Sequence, residues 1–247
     1  MIPKIIHYCW FGKDEMPDNI KSYIKTWEEK CPDYKIIKWS EENFDVNMSK
    51  FSRQAYELKK YAFVSDYARF YALNKFGGIY MDTDMELLKP LDDFLNNDFF
   101  MGYEENRADS LITTCIIGSA AGYDFNRQVM DMYDRMDFIR SDGSYEMTPN
   151  TVFITDILHK KHGIKTSSEY EKDGVHIYPW DYFHPMSLIS GKLNITDNTY
   201  AIHRHTLLWV SKKTRIIKFL RMKILMPLLG EERYITLTRK IKNAVKQ

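Results

Sequence analysis

The sequence predicts an α/β fold, and two stretches carry that prediction. Near the start of the chain, a strand pattern at residues 4–10, a helix pattern at residues 19–28 and a second strand pattern at residues 34–39 follow one another. A β-α-β opening of this kind favours an α/β sheet that binds ligands at the carboxyl ends of its strands. In the middle of the chain, residues 77–86 add a short apolar strand that two glycines precede and two aspartates follow.

The early elements each have a local signal. Four apolar side chains recur from Ile20 to Trp27 at positions i, i+3, i+4 and i+7, which predicts an amphipathic helix. Pro32 ends that helix before the second strand begins. Just past the first strand stands Trp10, which either stacks on a nucleobase or caps the core, and its position alone favours the cap.

A helix is also predicted over residues 60–76, where apolar and aromatic side chains surround only a few polar ones. Asp66 and Arg69 stand at i and i+3 on one face of it. On a surface helix this spacing gives an exposed salt bridge that contributes little to stability. Because this helix is almost entirely apolar, we expect the two charges to form a buried pair or to line a site.

Asp82 and Asp84 follow the apolar strand. Side chains at i and i+2 of an extended segment point the same way, so we expect both carboxylates to face one cation. Two oxygen ligands, with the other positions left to water and phosphate, suit Mg²⁺ or Mn²⁺ beside a nucleotide diphosphate. The alternative is a polar turn after a strand, because Asp-x-Asp alone is common by chance.

The second half of the chain has weaker signals. We predict a strand at residues 111–118, helices at residues 123–136 and 150–161, and irregular structure at residues 163–199. A late strand at residues 199–205 places two histidines, His203 and His205, on the same side. Two histidines at this spacing can ligate a metal, although such a pair is more often an ordinary surface or core pair.

Charge is distributed unevenly along the 247 residues. The formal net charge is +1, but residues 212–247 carry +9 and the rest carries −8, so a chain-wide nucleic-acid footprint is absent. We predict a domain at residues 1–211 and a basic amphipathic helical tail at residues 212–247. In the tail, Pro227 and Gly230 should break the first helix, and a second should follow from about residue 231 to residue 246. The tail lies on an anionic membrane or packs on the domain through its apolar stripe.

Cysteine usage and hydropathy suggest a compartment. The three cysteines, Cys9, Cys31 and Cys115, show no CxxC spacing, and reduced thiols in the cytosol explain them most simply. The chain shows no signal peptide and no run of 18 apolar residues, which predicts no spanning helix. We therefore expect a cytoplasmic protein, peripheral on the inner face of the membrane if the tail binds lipid.

Several ordered blocks of this sequence resemble the glycosyltransferases grouped as family 32. The blocks are Ile5–Gly12, Asn19–Tyr34, Ala62–Arg69, Gly77–Asp84 and, more weakly, Thr199–Trp209. That family contains sugar transferases of capsular polysaccharide synthesis and yeast-type mannosyltransferases. The resemblance implies a GT-A fold, a Rossmann-like mixed sheet flanked by helices, with a nucleotide-sugar donor and Mn²⁺ or Mg²⁺ as cofactor.

The resemblance also implies roles for residues at matching positions. The implied donor-binding residues are Cys9, Trp10, Ser65, Asp66, Arg69, Tyr80, Asp82 and Trp209. The implied catalytic residues are Asp66, Arg69, Asp82 and Asp84. The implied metal residues are Asp82, Asp84, His203 and His205. Leu208 stands where many relatives have a serine, and the choice between His203 and His205 as the metal ligand therefore stays open.

The function that the resemblance implies is hexosyl transfer. A hexose, favoured as a UDP-hexose, moves to a hydroxyl of a saccharide or lipid-linked saccharide in surface polysaccharide synthesis. The family implies retention of anomeric configuration, and we favour front-face attack because no residue stands out as a covalent nucleophile. The alternatives are a protein-glycosylating effector and a nucleotide-sugar-binding module. A nucleotidyl or phosphoryl transferase would need a phosphate loop, and neither GxxxxGK[ST] nor GxGxxG is present.

Overall fold

The computed structural model describes residues 1–107, 109–164, 169–206, 212–230, 233–234 and 236–237. Its strands are β1 Ile5–Cys9, β2 Lys35–Trp39, β3 Gly78–Met81, β4 Met85–Leu87, β5 Phe99–Tyr103, β6 Ile112–Ser119, β7 Tyr170–Lys172, β8 Val175–Tyr178 and β9 Ala201–His203. Its helices are α1 Asp18–Lys30, α2 Lys50–Glu57, α3 Tyr61–Phe76, α4 Asp124–Asp134, α5 Asn150–His162, α6 Trp180–Phe183, α7 Lys212–Leu220 and α8 Met226–Leu229. Short 3₁₀ turns occupy Val46–Met48 and Asp92–Phe94.

In the described part of the chain, seven strands form one mixed sheet in the order β2-β1-β3-β6-β5-β8-β7. Strand β1 runs parallel to β2 and β3, and β5 runs parallel to β8, whereas β3–β6, β5–β6 and β7–β8 are antiparallel. Strands β4 and β9 form a small antiparallel sheet of their own. This second sheet brings the late part of the chain back to the residues that follow β3.

Helices pack on both faces of the large sheet. Tyr80 of β3 belongs to one apolar cluster, which also includes residues of α2, α3, α4 and α5. Its neighbours Ile79 and Met81 belong to the cluster on the other face, together with Trp27 of α1. This alternation follows from the pleat, and a strand covered on both sides reads as a continuous apolar run. The predicted α/β class, a mixed sheet flanked by helices, is confirmed.

Two predictions for the later chain are wrong. Residues 163–199 are not irregular, because they contain β7, β8 and α6, and β8 extends the large sheet by pairing with β5. Strands of three or four residues are too short to show a sheet period in the sequence. Pro227 also does not break the tail helix, since a π-helical stretch, Arg221–Leu225, joins α7 to α8 and the run continues to Leu229.

The proline is tolerated because it lies in the first turn of α8, where the π-helical stretch has already interrupted the regular hydrogen-bond ladder. The helix ends at Gly230, as the sequence predicts. Most of the second basic helix predicted for residues 231–246 lies outside the described residues. None of the helices that the structure describes is long and apolar enough to cross a membrane.

Two glycines make the turn from α3 into β3. Gly77 has φ 62° and ends α3, with its N–H donating to the Leu73 carbonyl at 2.8 Å. A Cβ on Gly77 would lie 2.6 Å from the Ala121 nitrogen, and one on Gly78 would lie 2.6 Å from the Ile5 carbonyl oxygen. The backbone therefore approaches its neighbours here more closely than any side chain permits, which fixes the start of β3 against β1.

We predict that Gly77→Ala destabilises the protein by at least about 3 kcal/mol, because the alanine meets both an unfavourable φ and a steric clash. Gly163 provides the matched control, since it ends α5 at φ 66° and a methyl group added there would meet nothing within 4 Å. Gly163→Ala should lower the free energy of unfolding by only about 1 kcal/mol. Urea unfolding of both variants measures the difference, and equal losses would show that close packing at Gly77 contributes nothing.

Candidate active site

Helix α3 delivers a buried guanidinium to the carboxyl end of β3. Arg69 is 5% exposed, and its Nη2 lies 2.9 Å from Asp66 Oδ1 and 3.5 Å from Asp82 Oδ1. Its Nη1 donates to the Thr114 carbonyl at 2.7 Å, and its carbon Cζ lies 4.6 Å from the centre of the Tyr80 ring. The expectation that Asp66 and Arg69 form a buried pair thus matches the structure. A guanidinium with these partners is a fixed positive charge at the end of the strand.

Asp66 is held from a second side by a residue that the sequence reasoning missed. Asn150, at the start of α5, donates its Nδ2 to Asp66 Oδ1 at 2.7 Å and accepts from Thr114 Oγ1 at 2.8 Å. Burial raises the pKa of Asp66 to about 6, Arg69 opposes that shift, and the nearby Asp82 adds to it. Its partners therefore orient the Asp66 carboxylate, but its burial disfavours the ionised form.

Asp82 and Asp84 lie in a tight turn, not in an extended strand as predicted. Strand β3 ends at Met81, and the Met85 N–H donates to the Asp82 carbonyl at 3.0 Å, which closes the turn. Tyr80 donates its hydroxyl to Asp82 Oδ1 at 2.9 Å. The turn still brings both carboxylates together, because one oxygen of each lies within 4.8 Å of the other and of a His203 nitrogen.

Asp84 is the most firmly held of the acidic residues. Its Oδ2 accepts from both the N–H and the hydroxyl of Thr206, at 2.8 and 3.0 Å, and its Oδ1 lies 3.2 Å from His203 Nε2. Burial alone would raise the pKa of Asp84, but His203 and Thr206 hold that pKa below its usual range. Asp84 is therefore a carboxylate at neutral pH, with its Oδ1 directed toward the imidazole.

Three histidines cluster beside this aspartate. His203 is placed by β9, which pairs it with Met85 directly after the turn, and its Nδ1 is 2.8 Å from His184 Nε2. His205 follows the strand in a left-handed conformation at φ 49°, with its ring centre 4.0 Å from that of His203. Among the described residues, two groups of three have donor atoms that all lie within 4.8 Å of one another, and both contain His203 whereas neither contains His205. The geometry thus separates two histidines that the sequence left equivalent.

Of the four remaining predicted donor-site residues, three lie within the part of the chain that the structure describes. Cys9 is buried at the end of β1 beside Ser65 and Tyr80, and burial raises the pKa of its thiol to about 12. Ser65 lies in α3 next to Asp66, and its hydroxyl donates to the Tyr61 carbonyl at 3.0 Å. Trp10 is half-exposed, and its indole donates to the Asp14 carbonyl at 2.9 Å. Trp209, also predicted to bind the donor, lies outside the described residues.

Thr206 and His184 were also missed by the sequence reasoning. Thr206 holds Asp84 from 122 positions further along the chain, and His184 contacts His203 from inside the segment predicted to be irregular. No local pattern marks either residue. Only the pairing of β4 with β9, which a sequence without a strong strand period does not reveal, brings Thr206 to the turn.

Two cavities open in the described part of the molecule. The larger, about 770 Å³, lies between the loop that follows Trp10 and the start of α3, with Lys13, Tyr56 and Tyr61 in its wall. The smaller, about 320 Å³, is lined by Glu104, Trp180, His184, Asn194 and neighbouring residues. Neither cavity is lined by the two aspartates, and the smaller one reaches the cluster through His184.

The donor set fits a divalent cation. Two carboxylates supply the oxygen ligands that Mn²⁺ and Mg²⁺ prefer, and one imidazole nitrogen lies within 4.8 Å of both. The outer contacts are those expected of a metal site, since Tyr80 orients one carboxylate, Thr206 the other, and His184 the imidazole.

Comparison with known proteins finds a family match and several similar proteins. Residues 17–101 match the glycosyltransferase sugar-binding region containing a DXD motif. The chain is 27% identical over 145 residues to inositol phosphoceramide mannosyltransferase 3 of Schizosaccharomyces pombe, a match covering 56% of this chain and 38% of that protein. It is also 29% identical over 201 residues to an uncharacterized glycosyltransferase of Acanthamoeba polyphaga mimivirus. That match covers 78% of this chain and 76% of the viral protein. The solved structure titled PaToxG glycosyltransferase aligns with 19% identity and a TM-score of 0.46. The alignment covers 65% of this chain and 70% of that structure's chain.

Residues 17–101 therefore match the glycosyltransferase sugar-binding region that contains the DXD motif, and Asp82-Thr83-Asp84 has that pattern within the matched residues. The resemblance to Asp-x-Asp sugar transferases is confirmed, and the predicted enzyme class, glycosyltransferase, is that of the matched family. The chain spans only about two-fifths of the yeast relative's length, 38%, but three-quarters of the viral one, 76%.

We predict that the buried Asp66 makes stability depend on pH. The pKa of Asp66 in the folded protein is about 6, above its ordinary value of 3.8. Its favourable contribution to the free energy of unfolding is therefore complete below pH 4 and is lost as the pH rises through 6. Relative to Asp66→Asn, which cannot titrate, the wild type should lose about 3 kcal/mol of unfolding free energy between pH 4 and pH 7. Urea unfolding with EDTA present measures this, and a pH-independent difference would contradict it.

Proposed function

We propose that the protein is a metal-dependent glycosyltransferase that moves a hexose from a nucleotide sugar to a hydroxyl of a saccharide or lipid-linked saccharide. One observation carries the proposal. Asp66, Arg69, Asp82 and Asp84 of the matched region converge at the end of β3 with His203 from the later strand β9. Such a collection of anionic and cationic groups suits a substrate that carries a diphosphate and a polyhydroxylated ring.

Asp82, Asp84 and His203 would hold Mn²⁺ or Mg²⁺, because their donor atoms lie within 4.8 Å of one another. When bound, the ion supplies positive charge that stabilises the leaving nucleoside diphosphate. Arg69 adds a second positive charge that cannot be lost by deprotonation, because a guanidinium stays protonated in proteins. Its buried partners lock the side chain, so it is already oriented before any substrate binds.

Asp66 accepts hydrogen bonds from hydroxyls of the transferred sugar. The residue is buried and fixed by Arg69 and Asn150, so it can discriminate between sugars by the position of their hydroxyls. Tyr80 orients Asp82 through its hydroxyl and packs its ring under the guanidinium. The donor's nucleoside would occupy the cavity beside the loop that follows Trp10, whose volume of about 770 Å³ lies within the range of ligand pockets.

We further propose that the transfer retains anomeric configuration. Asp66, Asp82 and Asp84 each contact a neighbouring side chain, and we assign none of them as a covalent nucleophile. The acceptor hydroxyl would then attack from the face that the diphosphate leaves, and that phosphate would receive the hydroxyl proton. A UDP-hexose is the favoured donor. The mannosyltransferase names of the yeast relatives add nucleotide-linked mannose to the donors worth testing.

We predict that Asp84→Asn reduces metal-dependent release of nucleoside diphosphate at least roughly 100-fold, because a metal ligand is lost along with its charge. The donor screen uses UDP-hexoses and GDP-mannose with Mn²⁺. Asp156→Asn is the matched control, since Asp156 is an exposed aspartate of α5 that pairs only with Lys160 among the contacts described. Mn²⁺ affinity measured by calorimetry should fall in the first variant and stay unchanged in the second.

Turnover in Asp84→Asn at wild-type levels would refute the metal-dependent mechanism. NMR of the product formed by the wild type tests the stereochemistry in the same experiment. A product with inverted anomeric configuration would refute retention without affecting the assignment of the metal ligands.

We also propose that residues 1–211 are the catalytic domain and that residues 212–247 hold it on the cytoplasmic face of an anionic membrane. Along the described helical run, large apolar side chains are exposed instead of packed: Ile217 is 56% exposed, Phe219 60% and Leu228 75%. The run contacts the domain through Arg221, which donates to the Leu188 carbonyl at 2.8 Å. Exposed apolar side chains next to a net charge of +9 suit a surface of anionic lipid.

We predict that Ile217→Ser combined with Phe219→Ser lowers partitioning onto phosphatidylserine-containing liposomes at least roughly 100-fold, because two large apolar side chains no longer enter the bilayer. The matched control is Leu193→Ser combined with Ile195→Ser, since those residues are 37% and 53% exposed elsewhere on the surface. Liposome sedimentation measures both. Equal partitioning of the two double variants would refute the membrane role of the tail.

A further inference from the structure

Next to the predicted cation site lies a second set of ligand atoms with different chemistry. Cys115 of β6, His184 after α6 and His203 of β9 each place one donor atom within 4.8 Å of the other two. Cys115 and His184 are both 2% exposed, and Cys115 forms no disulfide. We propose that these three residues bind a borderline transition-metal ion, with Zn²⁺ as the expected occupant.

The donor types support this assignment. One thiolate and two imidazoles form the kind of set that selects zinc over magnesium or manganese, which prefer oxygen ligands. A tetrahedral zinc ion places nitrogen and sulfur ligands roughly 3.3–3.6 Å apart. His184 Nε2 and His203 Nδ1 are already 2.8 Å apart, so small side-chain movements are enough. A fourth position would remain for water or another ligand.

The fold preorganises the three ligand residues. Cys115 lies opposite the end of β3, since the Asp82 N–H donates to the Cys115 carbonyl at 2.8 Å. Thr113 orients the thiol from two residues away, with its hydroxyl 3.1 Å from the sulfur. The cavity of about 320 Å³ reaches His184 from the surface, which gives an ion a path to an otherwise buried site.

Binding of the metal ion at this site releases protons to solvent. The S–H bond of Cys115 breaks, a metal–sulfur bond forms, and the thiol proton goes to solvent. Both histidines bind through a nitrogen lone pair as neutral imidazoles, so any imidazolium proton on His203 also leaves. No oxidant or reductant takes part.

The two metal sites exclude each other through His203. A neutral imidazole offers one nitrogen lone pair, so His203 can ligate an ion with Asp82 and Asp84 or with Cys115 and His184, but not both. Occupation of the thiolate site would remove a ligand from the cation that the transferase needs. This consequence rests on the proposed function, whereas the thiolate site itself does not.

Cobalt(II) is the direct probe, because a cobalt–thiolate bond gives an intense near-ultraviolet charge-transfer band that oxygen and nitrogen ligands lack. We expect this band when Co²⁺ is added to the metal-free, full-length protein under a non-thiol reductant, and we expect one equivalent of Zn²⁺ to abolish it. Absence of the band in the wild type would overturn the proposal.

Variants identify the ligands. The chain has three cysteines, so the double variant Cys9→Ser, Cys31→Ser leaves Cys115 as the one thiol and should keep the band. Cys115→Ser should lose it, and His184→Gln should weaken Zn²⁺ affinity at least roughly 100-fold. Loss of the band in the Cys9/Cys31 variant, or its persistence in Cys115→Ser, would overturn the assignment.

Asp84→Asn separates this proposal from the proposed function. That variant should lose Mn²⁺ binding and keep the cobalt–thiolate band, since Asp84 is no ligand of the second site. In the wild type, Zn²⁺ at one equivalent should weaken Mn²⁺ binding measured by electron paramagnetic resonance, and Cys115→Ser should relieve this effect. Simultaneous full occupancy by both ions would refute their exclusion.

Discussion

The burial of one guanidinium is the constraint on which the rest of the site depends. An unpaired charge in the interior costs several kcal/mol, so Arg69 is stable only where partners surround it. Those partners come from α3 itself, from the Asp82 turn, from the Thr114 carbonyl of β6 and from the Tyr80 ring of β3. The helix, two sheet strands and the turn must therefore all be in register before the charge is satisfied. The contacts of Arg69 therefore link the packing of the core to the geometry of the charged cluster.

A second constraint acts through the small sheet. The pairing of β4 with β9 places His203 opposite Met85, which immediately follows the Asp-x-Asp turn. Thr206 then reaches Asp84 with two hydrogen bonds, and His184 reaches His203 with one. The register of this short strand pair thus decides which imidazole meets the aspartates. The left-handed backbone at His205 turns that residue away from the register of the strand.

The sequence predicted the parts of this arrangement that depend on local pattern. A nearly all-apolar helix with two charges at i and i+3 was sufficient to expect the buried pair of Asp66 and Arg69. The apolar strand before two aspartates was sufficient to expect their proximity, although the wrong backbone geometry was assigned to them. Asn150, Thr206 and His184 could not be predicted, because each acts through a contact between residues from 19 to 122 positions apart. The roles of Trp209 and of the tail beyond residue 237 remain predictions.

The long separation between Asp84 and Thr206 has a consequence for synthesis. The ribosome adds residues in order, and the N-terminal part of a chain can fold while the rest is still being made. Strands β1, β2 and β3 can pair early, but His203 and Thr206 emerge more than a hundred residues after the aspartates that they contact. During that interval Asp84 lacks both His203 and Thr206, whereas Asp82 already has the Tyr80 hydroxyl nearby in the chain. The contacts around Asp84 are therefore complete only after Thr206 has left the ribosome.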